Sequence, residues 1–175
     1  DSKIDKAVKS AVASNSSEKE KEFSEREKEP LKEYKGPAAF GSVSIKYPKV
    51  WSAFITETDK GSVPIDGYFH PNYVPGLNSG TAFALRLQVT NVTYADELKK
   101  FDAAAKQGKV VVSTIAAESV PNVAGVKVDG EIENGVVGTV VMFPLRDKTL
   151  KLISESKEFK NDFDGFILKY LSFSP

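Results

Sequence analysis

Two neighbouring strand patterns and an aromatic helix in the last third of the chain restrict its fold more than any other feature. Val136 to Phe143 (Val-Val-Gly-Thr-Val-Val-Met-Phe) is rich in β-branched and apolar residues. It is too short to cross a membrane, so it predicts a buried strand. Lys148 to Ile153 alternates polar and apolar residues, the pattern of a strand with one wet face. Ser156 is placed to cap a helix. In that helix Phe159, Phe163, Phe166, Ile167, Tyr170 and Leu171 recur at spacings of three and four and so share one face. A sheet with a helix laid across it is the expected result.

The middle of the chain extends this picture. Phe40 to Tyr47 alternates and predicts a strand ended by Pro48, and Trp51 to Thr58 predicts the next, with Trp51, Ala53 and Ile55 on one face. Trp51 is expected to anchor the core, given the area an indole buries. Asp59-Lys60-Gly61 marks a turn. Thr81 to Thr90 predicts a strand with Phe83, Leu85, Leu87 and Val89 on one face. Thr93 then caps a helix expected to run through Gln107, with Gly108 as its C-cap. Val110 to Ala117 predicts another strand, and Val120-Pro121-Asn122 the start of a loop. Val123 to Phe143 predicts a hairpin with two candidate turns, Asp129-Gly130 and Asn134-Gly135, both suited to type I′. The second is preferred, because it puts Val126, Val128, Gly130 and Ile132 on one face and Asp129, Glu131 and Glu133 on the other.

Residues 1–36 differ from the rest and are expected to be a charged spacer, helical or flexible, ahead of one globular domain at 37–175. Ile4, Ala7, Val8, Ala11 and Val12 form a short apolar stripe, and Glu18 to Lys35 is mostly charged, with Glu22–Arg26 and Glu25–Lys28 as favourable helical pairs. Heptads of apolar residues are lacking, which argues against a coiled coil. Pro30 stops or kinks a helix and Gly36-Pro37 marks the domain boundary. The chain starts at Asp1 and its one methionine is Met142, so a leader, anchor or further domain is expected ahead of it.

Bulk composition bounds the function. The 24 Lys plus Arg balance 24 Asp plus Glu, which argues against a broad nucleic-acid surface. Cysteine is absent, removing disulfides, thiol nucleophiles and Cys-based metal sites. A Ser-His-Asp triad would have to use His70, the sole histidine, and no Gly-x-Ser-x-Gly elbow, dinucleotide fingerprint or phosphate loop is present. His70 alone is a poor zinc ligand set. No catalytic residue, metal or cofactor is assigned.

Ile65 to Gly76 carries Tyr68, Phe69, His70 and Tyr73 among prolines and is expected to be an irregular loop. Such a loop either packs its aromatics over a sheet edge or presents them to a partner. Tyr68, His70 and Tyr73 are the candidate contact residues. Asp129, Glu131 and Glu133 are a second candidate, for calcium, against the plainer expectation of a solvated strand face.

The order of elements resembles the PsbP-like family, extrinsic proteins of photosystem II with bacterial relatives and a nuclear Ran-binding cousin. The residues that carry the resemblance are Phe40 to Trp51 (Phe-Gly-Ser-Val-Ser-Ile-Lys-Tyr-Pro-Lys-Val-Trp), Asp147 to Ile153, and then Phe159, Phe163, Ile167, Tyr170 and Phe173. The resemblance implies an α+β fold, an antiparallel sheet sandwiched between helices, and a non-catalytic role docking onto a larger assembly. The expected function is therefore a binding or scaffold module, monomeric, extracellular or at a bacterial cell surface. It would be tethered through a lipoprotein or membrane anchor and contact a protein or cell-envelope component. A carboxylate-dependent hydrolase and a calcium-dependent adhesin are the alternatives.

Overall fold

A computed structural model describes residues 31–71, 73–76 and 80–175. The expectations for the apolar stripe, the charged pairs and Pro30 fall on residues 1–30, outside the described residues. Among the described residues nine strands are formed: β1 (Leu31–Lys35), β2 (Ser44–Pro48), β3 (Trp51–Glu57), β4 (Ile65–Pro71), β5 (Leu85–Thr90), β6 (Val110–Ala117), β7 (Val120–Glu133), β8 (Val136–Leu145) and β9 (Lys148–Ser154). β3 to β9 make one sheet of order β3-β4-β5-β9-β8-β7-β6, every pairing antiparallel. β1 and β2 form a separate antiparallel pair.

Period-two alternation makes each strand two-faced, and the sheet is buried unequally on its two sides. On one side Ile65, Phe69, Leu85, Leu87, Val89, Val141, Phe143, Leu150 and Leu152 form the main core. Its cover comes from Val43 and β2, through Ile45 and Tyr47, and from the C-terminal helical segment, through Phe163, Ile167 and Leu171. Trp51 belongs to the same core and is 2% exposed. The C-terminus is pinned to β2 by reciprocal backbone bonds between Ser44 and Ser172 at 2.8 and 2.9 Å. On the other side Val110, Val128, Val140, Met142 and Ile153 pack under two short helices, α1 (Tyr94–Lys99) and α2 (Asp102–Lys106), through Phe101, Tyr94, Leu98 and Ala104.

Several local expectations are met. Thr93 Oγ1 accepts the Asp96 N–H at 3.3 Å and caps α1, Ser156 Oγ accepts the Glu158 N–H at 3.2 Å, and Asn134-Gly135 turns the β7–β8 hairpin. Others change. The helix predicted from Thr93 to Gln107 is split, because Lys100 and Phe101 break it. Val120 to Asn122 lie in β7 rather than a loop, since the chain reverses over Glu118 and Ser119 alone. Leu31–Lys35, expected at the end of the spacer, pair with β2; Leu31 and Tyr34 are half-buried while the charged residues between and beside them point outward. Phe40 ends a short 3-10 turn instead of opening a strand. The C-terminal cover is not a regular α-helix: a 3-10 turn at Lys157–Phe159 leads into α3 (160–170), whose middle, Phe163–Ile167, is wound as a π-turn.

One close approach shapes the sheet where β9 ends. Gly138 of β8 lies against the backbone of Ser154 and Glu155, and a Cβ there would collide with the Ser154 carbonyl oxygen. Glycine lets β8 run tight beside the end of β9.

Candidate functional site

The apolar contacts of the helical cover on the second face stop at β9. Of β3, β4 and β5, the helices reach only the end of β5, where Thr90 is buried against Glu97 of α1. The rest of the outer face of these three strands is free of both helices, and register assigns its residues. Phe54, Tyr68 and Arg86 form one cross-strand row ending on Ile153, and Thr56, Asp66 and Gln88 form the next, ending on Lys151.

Ile65–Pro71 is central to this arrangement and the largest departure from expectation. It is an interior strand, not a loop. Ile65, Gly67 and Phe69 are buried while Asp66, Tyr68 and His70 alternate onto the open face. Two of the candidate contact residues, Tyr68 and His70, are thus brought to one face of β4. Tyr73 lies beyond the strand end, 73% exposed, and is not part of the row.

Polar groups on the open face hold one another in place. The Tyr68 hydroxyl donates to Asp66 Oδ2 at 3.3 Å and accepts from Arg86 Nη2 at 3.2 Å. Gln88 Nε2 donates to Asp66 Oδ1 at 3.2 Å. The Arg86 guanidinium stands 4.8 Å over the Tyr68 ring, whose other neighbour is Phe83 at 4.8 Å between centroids. Burial pushes the Tyr68 phenol above its usual range, Arg86 opposes that and Asp66 adds to it. Arg86 Nε is buried without a partner among the described residues. Phe54, at the end of the row, is 56% exposed.

Where β9 ends at Ser154, a cleft of about 460 Å³ opens between β5 and β8, lined by Tyr68, Phe83, Arg86, Val136, Val137 and Glu155. Glu155 Oε1 accepts the Phe83 N–H at 3.2 Å, and the Glu155 N–H donates to the Phe83 carbonyl at 3.1 Å. Alternation places Phe83 beside Leu85 on the core face, and the structure does not. The chain before Leu85 is not strand, and this frees Phe83 to turn to the Tyr68 side.

This surface offers a guanidinium fork, a phenol, an amide and aromatic faces. His70 stands edge-on to Phe159 at 5.4 Å and to Phe83 at 6.4 Å, and its Nδ1 is buried without a partner among the described residues. Burial lowers its pKa below the ordinary 6.5, with Glu158 pulling weakly the other way. The fully buried carboxylate, Glu97 of α1, is 1% exposed. It accepts from Thr90 Oγ1 at 3.0 Å and lies 3.2 Å from Lys151 Nζ and 3.3 Å from Lys100 Nζ. Burial raises its pKa, but Lys151, Thr90 and Lys100 outweigh that and hold it below 4.5. It is an internal ion pair, not a poised acid.

The acidic strand residues are used locally. Thr139 Oγ1 donates to Asp129 Oδ1 at 2.6 Å and Glu131 Oε1 accepts the Gly135 N–H at 3.3 Å. The pairing shifts between Glu131 and Glu133, so their alternation is interrupted. Among the described residues no three His, Asp or Glu side chains converge as a metal site would require.

Sequence reasoning misses Asp66, Arg86, Gln88 and Phe54. The signal for Asp66 is the strict alternation of Ile65 to His70, obscured by Gly67 and the prolines around it; Phe54, Arg86 and Gln88 join it only through register.

No family model matches the chain, and no curated protein matches it. Among solved structures, the chain is similar to the solution structure of cyanobacterial PsbP (CyanoP) from Synechocystis sp. PCC 6803, with a TM-score of 0.46 and 14% identity, over 82% of this chain and 92% of that one.

Proposed function

We propose that this domain is a non-catalytic binding module whose contact surface is the open face of β3, β4 and β5, and that its partner is a protein. The observation that carries the reading is the cross-strand row Phe54–Tyr68–Arg86 left uncovered by α1 and α2. Tyrosine and arginine are the residues that most often dominate protein interfaces, and here both are held in place before any partner arrives. Phe54 supplies exposed apolar area at the rim of the row. Asp66 offsets the charge of Arg86, which favours a mixed protein surface over a polyanion.

Export and attachment to a bacterial cell envelope are the second part of the proposal. The charged stretch Glu18 to Glu29 is suited to holding a domain away from a surface. No described helix is long and apolar enough to cross a membrane. Fractionation of the source cells with an antibody to the domain tests this part: recovery in the envelope or medium supports it and recovery in the cytoplasm overturns it.

The contact surface is tested by affinity capture from source-cell extract with the wild-type chain, Tyr68→Ala, Arg86→Ala and a control, Ala103→Ser on the exposed side of α2. Proteins retained by the wild type and the control, and lost with both face variants, support the proposal. Equal capture by all four overturns it.

A further inference from the structure

The two edges of the seven-stranded sheet are not alike. β3 carries Glu57, to which the Tyr34 hydroxyl donates from β1, so one end of that edge is charged and occupied. β6 (Val-Val-Val-Ser-Thr-Ile-Ala-Ala) contains no charge and no proline. Among the described residues no strand pairs with its outer side. Val111 is 70% exposed and Val112 40%. A long, uncharged, β-branched edge is what sheet proteins avoid leaving bare, because its free N–H and C=O groups are a template for another strand.

We infer that the β6 edge is a homodimer contact, in which β6 of a second copy adds antiparallel across a two-fold axis through Ser113. The symmetry limits the choice. A two-fold axis normal to the sheet keeps matching faces on the same side, so it must pass through a residue and not between two. Centred on Ser113, the register sets Val111 opposite Ile115 and Val112 opposite Thr114, each pair occurring twice. Both of these pairs are β-branched, the type that favours cross-strand packing. The edge is thus complementary to itself in register, which is the argument for a second copy over an unrelated strand.

One strand edge buries less than the roughly 1,600 Å² of a standard interface, so the dimer is an exchanging one. This departs from the expectation of a monomer. It leaves the β3–β5 face free and turns both copies of it to the same side of one continuous sheet, where a partner with repeated sites would be held by both.

Sedimentation velocity on the full chain, from roughly 10 μM to roughly 1 mM, tests the inference. The expected result is a weight-average mass rising from 19.1 kDa toward twice that value. Ser113→Lys sets two ammonium groups against each other at the axis and abolishes the rise, with the circular dichroism unchanged because the side chain is exposed. The chain has no cysteine, so Ser113→Cys reports the axis directly: paired Cα atoms lie about 4.5–5.5 Å apart, within disulfide reach. Mild oxidation gives a covalent dimer from Ser113→Cys and none from Ala116→Cys. A mass that stays at 19.1 kDa throughout, or a dimer indifferent to Ser113→Lys, overturns the inference.

Discussion

Replacing Glu97 with alanine is predicted to destabilise the domain by about 3 kcal/mol, because it strands Lys151 on the sheet. The Lys151 side chain is 15% exposed, and Glu97 lies 3.2 Å from its ammonium group. Breaking a buried ion pair by removing one partner costs about 3–5 kcal/mol. The lower end applies because the ammonium keeps some contact with water. For a chain of this size that loss lowers Tm by about 6–12 °C. Lys100 is the internal control: its side chain is 58% exposed, so Lys100→Ala should cost less than about 1 kcal/mol. The double variant Glu97→Ala/Lys151→Met removes the uncompensated charge and should recover at least half of the loss. Urea unfolding of the four proteins at neutral pH measures all of this. The reasoning is refuted if Glu97→Ala stays within about 0.5 kcal/mol of wild type, or if the double variant is no more stable than Glu97→Ala. The pH dependence follows with a definite sign. The folded carboxyl titrates below its ordinary 4.5. Its contribution is therefore complete above pH 4.5 and lost as pH falls through the folded value. Glu97→Ala should flatten the acid limb of the stability curve.

Three further outcomes are expected. Phe163→Ala, at a side chain 1% exposed in the main core, should cost about 3–5 kcal/mol in urea unfolding. Gly138→Ala should destabilise although it adds only a methyl group, because the Cβ meets the Ser154 carbonyl oxygen and not a side chain that can move; a neutral result would mean that β8 and the Glu155 segment are not in close contact. His70, as the sole histidine, gives an unambiguous imidazole signal, and its titration midpoint should lie below 6.5 because burial disfavours the charged ring. The unfolded chain then takes up the proton more readily, so stability falls as pH drops through 6.5, and His70→Phe should remove that part of the slope.

The fold is legible in the sequence wherever periodicity runs unbroken. Val136 to Phe143, Lys148 to Ile153 and Val110 to Ala117 alternate or stay β-branched over their length, and they are strands within a residue or two of expectation. Phe163, Ile167 and Leu171 lie in the core as their fourfold spacing implies. The π-turn between Phe163 and Ile167 is not visible in the pattern, because it changes the winding without changing which residues recur.

The site is legible only in part. Aromatic character picks out Tyr68 and His70, which do share one face, yet the same stretch reads as a loop. Glycine and proline weigh against strand in any local reading. Here Gly67 sits in an interior strand facing the core, and Pro71 ends it. The partners that give Tyr68 its setting come from other strands: Arg86 from β5 and Phe54 from β3. Register alone joins them, and register is a property of the whole sheet. Phe83 goes astray for the opposite reason. Alternation extends it past the point where hydrogen-bonded pairing of β5 begins, at Leu85.

Where a partner touches this domain decides between the open sheet face and every other surface. A photo-cross-linking residue placed at Phe54, on the open face, and another at Ala103, on α2, can be activated in living source cells. A discrete adduct from Phe54, absent from Ala103 and lost when Arg86→Ala is added, is the predicted result. Adducts formed from Ala103 and not from Phe54 would contradict it.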